Sequence, residues 1–247
     1  YVDAAIEALD AGTMLFSGKY SEPDYELMIG ENCDLAIEST MIYHTPKVKE
    51  MIQDLGIPVI VDCSSYEPHP LGRTEWIRLY AALVGKEAEA DAFMSQQGAL
   101  INFEDTGKTV AFFYINTDGS VVIRKPTDYI AKVISLAGGH YVYEHLAGDD
   151  RASSVSSVTM ENFYATAADA DLLIYNAAIV SPISSVDELI AKDSLFADFK
   201  AVQEGNVWCT GKSYFQATDA VADMIRDIHT AMVGGDESTM SFFYRVS

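Results

Sequence analysis

Apolar positions in the first quarter of the chain alternate between helical spacing and short continuous runs. Helical spacing places apolar residues three and four apart, whereas a short run bounded by Gly, Pro or Asp is typical of a buried strand. The pattern predicts a helix over 2–11, a strand over 13–17, a helix from Pro23, a strand over 34–38, a helix over 46–55 and a strand over 57–63. Strands joined by helices of this length indicate parallel βαβ units.

The second half of the chain repeats this alternation. Two apolar runs, 108–115 and 120–125, flank Asn116-Thr117-Asp118-Gly119, a sequence typical of a hairpin turn. The pattern then predicts a helix over 128–137, a strand over 140–145, a polar loop over 148–158, a helix over 159–168, a strand over 171–176, two helices between Ser185 and Val202, a strand over 206–210 and a helix over 217–233. The tail 234–247 has no clear assignment.

Two helices are predicted between these halves, over 74–84 and 86–103, and Gly85 separates them. The second is long enough to cross a domain, so it is either a connection between two lobes or an ordinary surface helix of one sheet. We expect a truncated N-terminal α/β lobe (1–85), a linking helix (86–103) and a C-terminal α/β lobe (104–247). The predicted fold class is α/β: two lobes with mainly parallel sheets, joined by one long α-helix.

Composition and net charge restrict the classes of function that fit this chain. Hydrophobic residues make up 49% of the chain, as in a globular protein, and the net charge of −21 argues against nucleic acid and anionic membranes as partners. Three cysteines without a CxxC motif indicate neither a disulfide framework nor a thiolate metal site. The chain opens on a helix with no signal peptide and no strand before it, from which we expect that its natural N-terminus and part of the first lobe are missing.

Ligands of open parallel sheets bind beyond the carboxyl ends of the strands. The loops at those positions carry Lys19 and Tyr20, Ser39 to His44, Ser65 to Arg73, Tyr114 and Asn116, Tyr175 and Asn176, and Lys212 to Gln216. Cations are scarce in this chain, yet three of them fall in these loops among many aromatic residues. This combination predicts a pocket for an anionic, partly aromatic or macrocyclic small molecule.

Motifs for nucleotide binding, serine hydrolysis and zinc proteolysis are absent, so we expect no catalytic residues, no cofactor and no resident metal. One alternative grouping remains, because His44, Glu67 and His69 could together bind zinc or iron if the fold brought them together.

Several segments resemble one family in the same order: CDLAIEST with LGIPVIVD, SSYEPHPLGRTEWIRLYAALVGKEAEA, LAGGHYVYEHL, VTMENFYATAADADLLIYN and LFADFKAVQEGNVWCT. The chain is similar from Gly12 to Gly234 to the ABC-transporter substrate-binding proteins that capture iron-siderophores, haem and cobalamin. The resemblance implies two lobes joined by one rigid helix, a ligand held in the cleft, and little closure.

The resemblance also implies partners: a small-molecule metal chelate and the ABC permease subunits in the membrane, bound by a monomer outside the cytoplasm, either periplasmic or as a cell-surface lipoprotein. Residues expected to contact the ligand are Lys19, Tyr20, Tyr43, Tyr66, His69, Arg73, Tyr114 and Lys212. The motifs PDYELM and TMENFY place the expected permease contacts at Glu26 and Glu161. Two rival functions remain, a tetrapyrrole chelatase acting through His69 and Glu67, and a binding protein for a bare metal ion.

Overall fold

A computed structural model describes residues 2–146, 155–211, 214 and 217–247. The chain divides into two compact units, Tyr1–Glu67 and Pro68–Ser247. Both combine helices with a sheet that contains parallel strands, which confirms the predicted α/β class. The predicted boundaries at 85 and 103, and the role of the long helix as a connection, stay predictions.

The first unit is built around a two-stranded parallel sheet. Its elements are α1 (Asp3–Asp10), β1 (Gly18–Lys19), β2 (Glu22–Pro23), α2 (Tyr25–Gly30), β3 (Ala36–Ser39), α3 (Pro46–Asp54) and β4 (Val59–Asp62). Strand β3 pairs with β4 from Ala36 opposite Val59 to Ser39 opposite Asp62. Helix α3 covers this pair with Val48 and Ile52, which pack against Ile42 and Ile57 in a small core.

The strand predicted over 13–17 is wrong. Thr13 and Met14 donate backbone hydrogen bonds to the carbonyl of Ala8 at the end of α1 instead of pairing with a strand. Leu15 and Phe16 are exposed. The apolar run has the composition of a strand, but no strand in the described residues pairs with it. The short antiparallel hairpin β1–β2 follows it in the chain.

The second unit is larger. Its elements are α4 (Pro70–Glu75), α5 (Ile77–Val84), α6 (Glu87–Ala99), β5 (Lys108–Ile115), β6 (Val121–Arg124), α7 (Tyr129–Leu136), β7 (Gly139–Tyr141), β8 (Val155–Val158), α8 (Met160–Ala167), β9 (Leu172–Tyr175), α9 (Val186–Lys192), α10 (Lys200–Gln203), β10 (Val207–Thr210), α11 (Val221–Val233) and β11 (Phe243–Arg245). The predicted long helix is α6, which packs against α4, α5 and α11 within this unit.

The sheet of the second unit has the order β11-β10-β9-β5-β6-β8, and β7 also pairs with β5. Strands β7, β9 and β10 run parallel to β5, β8 has the same direction because two antiparallel pairings relate it to β5, and β6 and β11 run the opposite way. The mainly parallel sheet is therefore confirmed. Two assignments change, since the predicted loop 148–158 ends in strand β8 and the unassigned tail contains β11.

Local sequence explains where these elements begin and end. Asp128 caps α7 by accepting a hydrogen bond from the N–H of Ile130 at 2.8 Å, and Gly85 ends α5 in the left-handed conformation at φ +69°. Gly138 has φ +82°, and a Cβ there would collide with the carbonyl of Glu104. Only glycine lets the chain turn from α7 into β7 at this close approach.

An ion-pair cluster holds the start of β9. The carboxylate of Asp171 accepts hydrogen bonds from Lys200 Nζ at 2.8 Å, Lys108 Nζ at 3.3 Å and the N–H of Thr109 at 2.9 Å. Burial raises the pKa of Asp171, but these hydrogen bonds outweigh burial and hold its pKa well below the usual range. The cluster ties α10 and β5 to the same strand.

We expect Asp171→Asn to reduce the free energy of unfolding by about 2 kcal/mol at neutral pH, because hydrogen bonds to an ionised carboxylate are lost. The effect is no larger because water partly solvates both lysines. A depressed carboxyl pKa contributes stability above the unfolded pKa of about 3.9 and loses it as pH falls through the folded pKa. Urea unfolding at several pH values should therefore show the difference between the two proteins narrowing as the pH falls below about 4. The exposed Asp198→Asn is the control, and a pH-independent difference would contradict this account.

Candidate functional site

A pocket of about 190 Å³ lies on one face of the large sheet in the second unit. The side chains that give it its chemistry come from four parts of the chain, namely Arg73, Arg124, Asp128, Tyr129, Tyr214 and Thr218. The ring of Tyr214 stacks on Phe112 of β5 with centroids 5.8 Å apart, which places the pocket on the face of the sheet to which Phe112 points.

Arg124 enters the pocket from the last position of β6. Its backbone is fixed by Tyr141, whose hydroxyl donates to the Arg124 carbonyl at 2.7 Å and accepts from the Arg124 N–H at 3.0 Å. Register places Ile123 opposite Phe113, so Arg124 points to the other face, which it shares with Phe112. Tyr141 is buried, so the position of Arg124 is set by the core.

Arg73 reaches the same pocket from α4. Its guanidinium lies 4.0 Å from the centre of the Tyr129 ring, a cation–π contact with the first residue of α7. The next residue, Thr74, is buried and donates its hydroxyl to the carbonyl of Thr218 at 2.7 Å. This bond fixes α4 to the turn that precedes α11, so the arginine is held by packed helices.

The charge balance of the pocket favours an anion. Arg124 Nη1 lies 3.8 Å from Asp128 Oδ2, with 13% and 10% of these side chains exposed, and Arg73 adds a second cation. Two arginines and one aspartate line this pocket, in a chain whose net charge is −21. Burial raises the pKa of Tyr129 to about 12 and that of Tyr214 above its usual range, so both phenols stay protonated, and the Tyr129 hydroxyl lies 3.9 Å from Met224 Sδ.

In the first unit, the carboxyl ends of β3 and β4 carry two exposed tyrosines. Tyr43 and Tyr66 are 53% and 68% exposed, and each lies in a 3-10 turn directly after its strand. The turns are joined by Thr40 Oγ1 and Ser65 Oγ at 3.4 Å, and the Tyr43 hydroxyl lies 3.8 Å from Cys63 Sγ. Parallel pairing therefore brings these two predicted residues to one edge of the sheet.

Two more predicted contacts, Lys19 and Tyr20, line an open groove of about 510 Å³ in the first unit. The groove runs along β3 and includes Glu38, whose pKa is raised by burial. The hairpin β1–β2 turns Lys19 and Tyr20 toward this groove. Their proposed role as ligand contacts stays a prediction.

The remaining predicted ligand contacts lie in the second unit. His69 caps α4, where its Nδ1 accepts from the N–H of Leu71 at 3.2 Å, and it is exposed. Tyr114 lies within β5, half-buried on the sheet face that it shares with Phe112, but it does not line the arginine pocket. Lys212 lies outside the residues that the structure describes.

Sequence reasoning missed Arg124, Asp128 and Tyr129. One signal could have identified Arg124, because a charged residue that ends an otherwise apolar strand is seldom buried without a partner or a function. Asp128 follows Arg124 by four residues, at the start of a predicted helix, so the sequence could have indicated a buried ion pair between them.

The structure also locates the residues that were considered for metal binding and for contact with the permease. Among residues 2–146, 155–211, 214 and 217–247, no group of three His, Cys, Asp or Glu side chains is arranged to hold a metal ion. Glu26 and Glu161 are exposed in the first turns of α2 and α8. The pKa of Glu161 is lowered by its own backbone N–H and by the hydroxyl of Thr159.

Comparison with known proteins gives both sequence relatives and structural neighbours. No family model matches the chain. An uncharacterized lipoprotein of Methanocaldococcus jannaschii is 25% identical over 252 residues, which cover 97% of this chain and 58% of the relative, so the chain spans less than two thirds of its length.

Two solved structures share the fold. A periplasmic haem-binding protein of Vibrio cholerae has a TM-score of 0.69 at 16% identity and covers 88% of this chain and 84% of its own. A periplasmic vitamin B12-binding protein of the same organism has a TM-score of 0.59 at 14% identity, covering 94% and 86%.

These likenesses show the fold. The chain has the fold of the periplasmic substrate-binding proteins, as its sequence resemblance implied, and the solved neighbours of that fold are solute-binding proteins. None of the described helices has the length and apolar character needed to cross a membrane.

Proposed function

We propose that this chain is the ligand-binding part of an extracytoplasmic substrate-binding protein, which captures a metal chelate and delivers it to an ABC importer. The chelate is an iron-siderophore, haem or a corrinoid. The fold supports this proposal, and the lipoprotein name of the relative supports a location outside the cytoplasm.

The observation that carries the proposal is the arginine pocket. Haem carries carboxylates, as many iron-siderophores do, and arginine binds carboxylates through paired N–H donors. Arg124 is held by the core and Arg73 by packed helices, so neither needs to be ordered when the ligand arrives. Preorganised donors of this kind lower the entropic cost of binding.

A thermal-shift screen tests the proposal. Haem, cobalamin, ferric siderophores and free metal ions are added separately at about 100 times the expected Kd, where a specific ligand adds about 2.7 kcal/mol to the free energy of unfolding. We expect one intact chelate to raise the Tm and the free ions to have no effect. A shift with a bare ion alone would favour the metal-ion alternative, and no shift with any chelate would contradict the proposal.

Glu26 and Glu161 are the proposed contacts with the permease. Charge reversal at both, Glu26→Lys with Glu161→Lys, should reduce uptake of the chelate by at least about tenfold because like charges then face the partner. Ligand affinity should not change, since neither residue lines the arginine pocket.

A matched control keeps the same change in net charge. Glu50→Lys with Glu204→Lys alters two exposed glutamates outside first helical turns and should leave uptake near the wild-type level. Uptake assays in cells and equilibrium binding with purified protein measure the two properties separately. Equal uptake by the two double variants would remove the assignment.

A further inference from the structure

A second groove, of about 770 Å³, opens at the carboxyl ends of β5 and β9 in the second unit. The residues that define its chemistry are Ile115, Asn116, Tyr175, Ile179, Ser181 and Lys192. We propose that this groove binds a small organic molecule with one carboxylate and an apolar body, at a site separate from the arginine pocket.

The groove occupies a favourable place in the sheet. From β5 the chain continues to β6 and β8 on one side of the sheet, and it later adds β9 and β10 on the other side. The order of strands therefore reverses between β5 and β9, and the helices that follow neighbouring strands diverge at such a point and leave a crevice. Ile115 and Tyr175, which end these two strands, both line the groove.

The two sites lie on opposite faces of the sheet. Phe113 lies opposite Tyr175 in the β5–β9 pairing, and their rings meet edge to face at 5.7 Å. Phe112, the neighbouring residue, stacks instead on Tyr214 at the arginine pocket. Because successive side chains of a strand point to opposite faces, Tyr175 and Arg124 are separated by the sheet itself.

Lys192 supplies the positive charge of the groove. Its Nζ lies 5.8 Å from the centre of the Tyr175 ring, at the end of α9. Glu188, one turn earlier in the same helix, already accepts hydrogen bonds from the N–H of Ser184 at 2.8 Å and from its hydroxyl at 2.9 Å. Lys192 lines the groove, where a bound carboxylate would add to the attraction that Glu188 already exerts on it.

Tyr175 forms the base of the groove, and its hydroxyl is enclosed by protein. It is fully buried, and its hydroxyl has no hydrogen-bond partner within 3.5 Å in the described part of the chain. The hydroxyl proton therefore has no acceptor among the described residues. Burial raises the pKa of Tyr175 to about 12, so that proton is present at neutral pH, and a carboxylate oxygen that displaces the atoms covering the hydroxyl could accept it.

The apolar side chains that line the groove determine which apolar body the ligand carries. Ile115, Ala178 and Val180 line the groove together with Ile179, of which 58% is exposed. An apolar body placed against these side chains removes their surface from water, at about 25 cal/mol per Å². A charged head and an apolar body match a small aromatic or branched carboxylate, and benzoate is the simplest probe of that class.

Benzoate and its neutral analogue benzamide test the proposal in parallel titrations followed by NMR. We expect benzoate to saturate with a Kd of about 1 mM or below, and benzamide to bind at least about tenfold more weakly. Lys192→Met should weaken benzoate about tenfold and Tyr175→Phe about fivefold, whereas the exposed Lys132→Met should change nothing. Near-ultraviolet circular dichroism confirms that each variant is folded.

Three results would overturn the proposal: no saturable benzoate binding, equal affinity for benzamide, or full affinity in Lys192→Met. Loss of benzoate binding in Arg124→Met would also overturn it, because the probe would then occupy the arginine pocket. The outcome is independent of the proposed function, since Lys192→Met should leave chelate affinity unchanged and Arg124→Met should leave benzoate affinity unchanged.

Discussion

Replacing Arg124 by methionine should weaken the binding of an anionic metal chelate by about 100-fold, because a carboxylate in the pocket would lose a desolvated charged partner. The side chain of Arg124 is only 13% exposed, so water replaces it poorly. Arg73→Met should cost about tenfold, since Arg73 lies against the face of Tyr129 and a second arginine remains. Calorimetric titration with the chelate found in the thermal-shift screen measures both effects.

Arg124 also pairs with Asp128, so its removal leaves a carboxylate that is 10% exposed without that partner. Asp128→Asn keeps the capping oxygen of α7 and removes the charge, so the pair Arg124→Met with Asp128→Asn should fold normally and still fail to bind. Arg226→Met is the control, because Arg226 pairs with Asp223 on the surface of α11. Full affinity in the double variant would exclude the arginine pocket as the ligand site.

Asp227→Ala should lower the free energy of unfolding by about 3 kcal/mol, since it leaves buried backbone donors without an acceptor. Asp227 Oδ2 accepts from the N–H groups of Ser241 at 2.7 Å and Phe242 at 2.8 Å. These bonds hold the tail against α11, where Phe242, Phe243 and Val246 are buried. In a protein of this size the loss corresponds to a fall in Tm of roughly 6 to 12 °C.

Asp227→Asn should cost less than about 1 kcal/mol, because its amide oxygen still accepts both bonds and burial already raises the pKa of the carboxyl above its usual range. Asp223→Ala breaks a partly exposed ion pair with Arg226 and should cost about 0.5 kcal/mol. Urea unfolding ranks the three variants. If Asp227→Ala were as stable as Asp223→Ala, the tail would not be anchored through Asp227.

The sequence predicts most accurately those elements whose apolar residues match the burial that the fold gives them. The run 108–115 forms β5 over the same residues because its centre, residues 110–113, is apolar and buried on both faces and a turn sequence follows it. The segment Val155–Val158 contains two serines and reads as a loop, yet it pairs along β6. Pairing supplied by another strand overrides local preference, and no local pattern reveals it.

The residues of the candidate site also divide into those that the sequence predicts and those that only the structure brings together. Arg73, Tyr43 and Tyr66 were predicted because they follow strands or lie in an elaborate loop, and the direction of a strand is readable from sequence. Arg124 and Tyr129 meet Arg73 only through the packing of α4 against α7. That contact joins positions far apart in the chain, so it required the structure.

The most direct test of the central claim is an equilibrium titration of the protein with intact haem, ferric siderophore and cobalamin, followed by recovery of the ligand. We expect one of them to bind in a single saturable step and to be released chemically unchanged when the protein is unfolded. Insertion of metal into a free porphyrin during the same incubation, or binding of the metal ion without its chelator, would contradict the account.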